Sequence, residues 1–234
     1  MQLQTGTFVT SVMDEKPTLP SAYDSPMNAY DEAFTEDRQP RAHWAPLLHS
    51  MGNLTDEEML DRQHRAQRIL REDGATYNLT SDPLTPSVWS LDLIPNIITT
   101  DEWLATEQGL AQRSTLFDLI LKDIYGPQEL LKSGIIPSEI IFSHPGFLRQ
   151  CHGVNVPGAH QLLLHAVDLV RDPSGKFQVI GDRTQAPTGA GYALENRTVV
   201  SRVIPNSFRD SQVRRLAGFF QSFKNMLSTL ASQW

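Results

Sequence analysis

The chain has 234 residues, 40% of them hydrophobic and 20% charged, with a net charge of −7. That length suits one large domain or two small ones, and the makeup is ordinary for a globular protein with a core. The acid excess argues against a general nucleic-acid binder, which needs a basic surface to release counterions, and no stretch approaches the ~20 apolar residues that span a bilayer.

Residues 1–45 read as an irregular arm. They hold Pro17, Pro20, Pro26 and Pro40 among many acids, with Tyr23, Tyr30 and Trp44 as aromatic anchors. The opening MQLQTGTFVTSVMDEK has no basic stretch leading into an apolar run. A helix is expected over 56–72: Thr55 and Glu58 form a capping box, Met59, Ala66 and Leu70 share a face, and Gly74 supplies the stop. The stretch around Pro83, Pro86 and Pro95 reads as extended loop. A second helix starts at a Thr99–Glu102 capping box. Trp103, Leu110, Phe117, Leu121 and Ile124 form one stripe at helical period, core in character, and Gly126-Pro127 ends it. A short helix, 128–133, follows.

After Gly134 the pattern turns to strands. IIPSEIIFSH is β-branched and short, and LLLHAVDLVR and KFQVIGDR flank the turn Asp172-Pro173-Ser174-Gly175. A four-residue loop puts His165 opposite Asp182, Val167 opposite Ile180 and Leu169 opposite Gln178. TVVSRVI reads as a further strand. A last amphipathic helix is expected over 210–230, burying Val213, Leu216, Ala217, Phe220, Phe223, Met226, Leu227 and Leu230. The fold class is therefore α+β (mixed α/β): a helical first half, an antiparallel or mixed sheet with a hairpin in the second half, and a terminal helix.

The densest cluster of chemistry is GDRTQAPTGAGYALENR, residues 181–197. Asp182, Glu195 and Asn196 are hard oxygen ligands suited to Mg²⁺. Arg183 and Arg197 offer forks for phosphate or carboxylate. Glycines let a backbone approach a ligand closely. A glycine-requiring turn with surface polar residues explains the same letters. SHPGFLR, residues 143–149, is either an anion-facing loop or a tight turn packing Phe147. Cys151 and His152 are adjacent, so their side chains diverge in an extended chain. The histidines at 43, 49, 64, 144, 152, 160 and 165 lack zinc spacing. Arg197, Arg202, Arg209, Arg214 and Arg215 read as a solvated face.

GDRTQAPTGAGYALENR resembles the signature of circularly permuted ATP-grasp proteins, type 2, relatives of the ligase domain of glutathionylspermidine synthase. YDEAF, RAHWAPL, ATYNLTSDP, SLDLIPNIITTDEWLATEQGLAQRSTLFDLILKDIYGPQELLKSGIIP and FSHPGFLRQCHG agree in the same order, so the resemblance covers residues 28–230. It implies a partial permuted ATP-grasp domain over 46–234 and an enzyme that activates a carboxylate with ATP and Mg²⁺ and passes it to an amine. It also implies that Asp182, Glu195 and Asn196 face metal, that Arg183, Gln185 and Arg197 face phosphate or substrate, and that Thr188, Gly189, Gly191 and Asn196 lie against the nucleotide. Related permuted ATP-grasp proteins often have Glu-Asp-Asn where this chain has Gly181-Asp182-Arg183, so two potential ligands are absent and Arg183 puts a cation in their place; the resemblance marks this Asp-Arg-Thr-Gln variant as typical of one branch, with the site repurposed.

Family members continue beyond Trp234, which makes this chain their N-terminal portion, weak or inactive without the rest. The expected partners are small-molecule or peptide carboxylate and amine substrates and a second chain or C-terminal half, with no nucleic acid and no membrane. The rival reading is a substrate- or partner-binding module without ATP turnover, and a third is an oligomer scaffold using the last helix. One cysteine and no leader point to the cytoplasm.

Overall fold

A capping residue, an apolar stripe and a left-handed stop are enough to set a helix, and the chain's clearest helix has all three. In a computed structural model, which describes Tyr23 and residues 28–77, 87–154 and 156–232, α2 runs Asp56–Glu72 behind α1, Ala45–Gly52. Thr55 accepts the Glu58 N–H, and Glu58 accepts the Thr55 N–H in return. At the other end Gly74, with φ 71, lets the Ala75 N–H reach the Leu70 carbonyl at 2.8 Å and its own N–H reach that of Arg71 at 3.2 Å. Six-to-one and five-to-two bonds together make a Schellman stop. Both ends of the expected 56–72 helix are thus where the sequence puts them.

The chain divides into two units, Met1–Ile97 with Glu195–Val213, and Ile98–Leu194 with Arg214–Trp234. The first is built on an apolar core of Trp44, Leu47, Ala66, Leu70, Leu93, Val199, Val200, Val203 and Ile204. A two-residue antiparallel ladder, β1 (Thr76–Tyr77) with β2 (Ser87–Val88), lies beside it in sequence. The aromatic anchoring expected near the start is seen at Tyr23, whose ring lies 4.9 Å from that of Phe34, and at Trp44, which is buried. Pro17, Pro20, Pro26, Pro83 and Pro86 lie outside the described residues.

The second unit carries α3, Thr100–Ile124, with Thr99 capping it through the Glu102 N–H. Glu102 does not return the bond of a capping box; its carboxylate takes Arg171. The short helices α4 (Glu129–Lys132) and α5 (Ser138–Phe142) follow, then β3 (Ala166–Arg171) and β4 (Phe177–Arg183). The helix α6, Ala190–Val203, begins in this unit and passes into the other at Glu195; α7 is Pro205–Asp210 and α8 is Ala217–Ala231. Helices and antiparallel strand pairs together agree with a mixed α+β class.

Four local expectations need correction. IIPSEIIF is not a strand: it finds no partner strand among the described residues, and Pro137 starts α5 with its carbonyl accepting the Ile140 N–H at 3.1 Å. TVVSRVI is helical, inside α6. Val199, Val200 and Val203 fall on one helical face and are buried, and burial outweighs β-branched preference. The last helix starts at Ala217 because Gln212, with φ 48, interrupts it; its stripe is half-buried, and Leu227 stays 48% exposed.

The hairpin register also differs. Its loop is five residues, closed by the Asp172 N–H on the Lys176 carbonyl at 2.9 Å, so Arg171 pairs with Phe177. A bulge between Asp168 and Leu169 then places Val167 opposite Asp182 and leaves Ile180 without a partner residue, 68% exposed.

Candidate functional site

Within the second unit the bulge re-aims the end of β4 toward α3, and Asp182 becomes the centre of a charged network. Arg113, on α3, holds it with two bonds, Nε to Oδ1 at 2.7 Å and Nη2 to Oδ2 at 2.5 Å. His165, only 5% exposed at its side chain, places Nε2 3.0 Å from Oδ1. The Ser114 Oγ lies 2.7 Å from His165 Nδ1. The Arg113 guanidinium holds the Asp182 carboxyl below its ordinary range against the opposing effect of burial, and His165 adds to this.

Ser114, His165 and Asp182 have the residue types of a hydrolytic triad but not its chemistry. The Ser114 hydroxyl donates to the Leu110 carbonyl at 2.9 Å, inside the helix, and Arg113 already neutralises the acid. A triad needs a free nucleophile whose base is steered by an unspent carboxylate. This network is a brace.

Arg183 reaches across the hairpin to Asp168, at 3.0 Å, in an exposed pair. A Cβ on Gly181 would stand 3.3 Å from Asp168 Oδ2, so glycine at 181 leaves Asp168 the room to take Arg183. Gln185, Thr188 and Gly189 follow in an exposed loop that turns at Ala186 (φ 44) and Gly189 (φ 111) into α6, whose first turn includes Gly191. The His144 turn belongs to the same unit. Its Nδ1 accepts the Gly146 N–H at 3.0 Å, and a Cβ on Gly146 would lie 3.9 Å from Gln185 Oε1. Phe147 stacks on Tyr125 at 5.2 Å, which is the packing role open to this turn. Cys151 and His152 do not pair; His152 Nε2 lies on the Gly126 carbonyl at 2.9 Å.

The remaining predicted residues belong to the first unit. Asn196 accepts the Trp89 indole N–H at 2.8 Å through Oδ1, which leaves its amide N–H₂ as the donor end. Burial, then the hydrogen bond and like charge of Asp73, raise the Glu195 pKa, while Arg202 opposes. The Glu195 Oε1 is buried without a hydrogen-bond partner. Burial lowers the Arg197 pKa. Burial and Asp73 thus both work against the charged form of Glu195.

Mg²⁺ asks for several negatively charged or carbonyl oxygens around one point. Among the described residues no three His, Cys, Asp or Glu side chains are grouped to hold a metal ion. Both Asp182 oxygens are taken, and Glu195 lies where its charged form is disfavoured. The residues in this arrangement do not fit the ion.

Arg113, Ser114 and Asp168 were not singled out by sequence reasoning, nor was Asp118. That buried acid of α3 binds Lys122 (2.7 Å), His160 (3.0 Å) and the N–H groups of Gln161 and Leu162. The one available signal was a single acid inside the apolar run LFDLI, residues 116–120 of α3. The nearness of His165 to Asp182 was legible, although the register that suggested it was wrong.

Comparison with known proteins places these elements in a family. The model of the circularly permuted ATP-grasp type 2 family matches residues 95–234. The chain is 39% identical over 216 residues to the uncharacterized protein Rv2567 of Mycobacterium tuberculosis, covering 88% of this chain and 24% of that protein. It is 36% identical over 211 residues to the uncharacterized protein sll0335 of Synechocystis, covering 90% and 44%. With the uncharacterized protein ML0605 of Mycobacterium leprae the identity is 33% over 186 residues, covering 80% and 33%. The chain thus spans between about a quarter and less than half the length of these relatives.

Proposed function

Because the chain belongs to the circularly permuted ATP-grasp type 2 family, we propose that it supplies part of an ATP-dependent ligase joining a carboxylate to an amine. The observation that carries this reading is the family match, which runs through the exposed loop from Arg183 to Gly191. In this reading residues 46–234 form part of a permuted ATP-grasp domain, and residues 1–45 an arm beside it. Its substrates are small molecules or peptides bearing the carboxylate and the amine, as in the ligase domain of glutathionylspermidine synthase, and a further polypeptide completes the activity. The single cysteine fits a cytoplasmic setting. No helix among the described residues is long and apolar enough to cross a membrane.

The chain's own residues bind and orient. Thr188, Gly189 and Gly191 present backbone to phosphate oxygens. In this reading Arg183, Gln185 and Arg197 contact phosphate or the acyl group, and Asn196 contacts the nucleotide. Calorimetric titration with ATP, with and without Mg²⁺, tests the reading. Saturable binding that weakens at least about ten-fold in Arg183→Ala supports it. No heat at high ATP concentration rejects a nucleotide site on this chain.

A second reading is a binding module without turnover. The pairing of Asp182 with Arg113 favours it, since that acid is not available to a metal. ATP binding without release of ADP or phosphate in the presence of any carboxylate–amine pair selects this alternative.

A further inference from the structure

We propose that Arg113 is the permanent counter-ion of Asp182, standing where the family resemblance gives a divalent cation, so that Asp182 braces the β3–β4 hairpin on α3 and holds no metal.

The oxygen geometry is the first support. A hard cation needs carboxylate lone pairs directed at open space. Oδ1 faces both Arg113 Nε and His165 Nε2, and Oδ2 accepts Arg113 Nη2. The planar fork matches the carboxylate at both ends, the strongest form of this pair. A divalent ion at Asp182 would have to expel the guanidinium and would then lie beside it, with like charges in contact.

The second support is that the cation is held from behind. Phe117, one helical turn after Arg113, lies 5.3 Å below its guanidinium and meets the His165 ring edge-on at 5.5 Å. One aromatic side chain therefore seats both partners of Asp182. Ser114 fixes His165 from its other nitrogen. These residues come from α3 and the position just before β3, all inside one unit. A network with this many mutual supports is pre-formed, not a resting state that an ion would displace.

The surrounding charges point the same way. Asp168 is paired with Arg183, and Glu102 with Arg171. These two acids thus each have a guanidinium, and Asp172, in the turn, is held by Ser174, the Lys176 N–H and Gln178. Gly181 clears space for Asp168, and Arg183 neutralises it.

The test uses the ¹⁵N-labelled chain and Mn²⁺ as a paramagnetic probe, with and without ATP. The expected result is that the amide signals of Gly181, Asp182 and Arg183 keep their intensity at Mn²⁺ levels equal to the protein concentration. Selective loss of those signals in the wild-type chain overturns the proposal, and this measurement needs no variant to fold. Arg113→Gln removes the counter-ion and is expected to lower Tm, the readout of a brace. An Arg113→Gln chain that keeps the wild-type Tm also overturns it. In the wild-type background, Asp182→Asn is expected to lower Tm but to leave Mn²⁺ affinity within about two-fold, whereas loss of a true ligand costs about ten-fold or more. ATP binding is read separately by calorimetry, so failure of the nucleotide reading and failure of this one give different results.

Discussion

The two units of this chain are held together by different physics. The first contains ten of the eleven buried apolar side chains among the described residues, from Phe34 through Ile204. The second contains Ile124 alone, together with the buried acid Asp118. Among the described residues it also carries sixteen of the eighteen large apolar side chains that are exposed, Leu116, Leu119 and Ile180 among them. Its order comes from charge: Asp182 with Arg113, Asp118 with Lys122, and Arg171 with Glu102. The first unit is stabilised by removing apolar surface from water, which does not depend on protonation. The second is stabilised by directional bonds that fix side chains in place and depend on protonation.

The largest effect that sharpens this contrast is Leu70→Ala. Leu70 is fully buried, and its truncation is expected to cost about 4 kcal/mol. Hydrogen exchange should accelerate in α2 and in Glu195–Val203, with little change in α3. Equal acceleration in both units would break the comparison.

Next is Asp118→Ala, expected to cost about 2 kcal/mol because it strips the N–H groups of Gln161 and Leu162 of a charged acceptor. Burial alone would raise the Asp118 pKa, but Lys122, the Leu162 N–H, His160 and the Gln161 N–H together hold it far below the ordinary 3.8. A lowered folded-state pKa gives stability that is present above the unfolded value and lost as pH falls through the folded one. Denaturation followed from neutral pH to below 3.8 should show the second unit weakening first. Asp118→Asn should flatten that acid dependence. A wild-type acid transition that the substitution leaves unmoved would assign it to other carboxylates.

Smaller effects belong to the ends of α2. Gly74→Ala forces a side chain into the left-handed region and is expected to cost about 1–2 kcal/mol. Thr55→Ala removes the cap and should cost about 1 kcal/mol. Both are read by chemical denaturation, and both should leave the Asp118 acid transition in place.

The sequence showed most where a local rule has no competitor. The α2 boundaries, the α3 stripe and the hairpin were all legible, because caps, period and turn residues act over a few neighbours. It misled where burial decided. Val199, Val200 and Val203 are β-branched and suggest a strand, but a helix puts all three into the first unit's core. The hairpin register failed for a related reason. The same turn letters allow a four- or five-residue loop, and the bulge at Asp168 adds a shift that no local pattern signals.

For the candidate site, the residue types were legible and their engagement was not. Resemblance picked out Asp182, Glu195 and Asn196 as oxygen donors, which their chemistry permits. Whether an oxygen is free depends on residues far away in sequence: Arg113 is 69 positions from Asp182, and Trp89 is 107 from Asn196. The sequence by itself determined the family, the well-capped helices and a glycine loop next to an acid–base strand. Only the tertiary structure decided that the acid is neutralised by an arginine of α3 and that Glu195 lies beside Asp73. A carboxylate's charge is settled by what surrounds it, and that surrounding is assembled only when the chain folds.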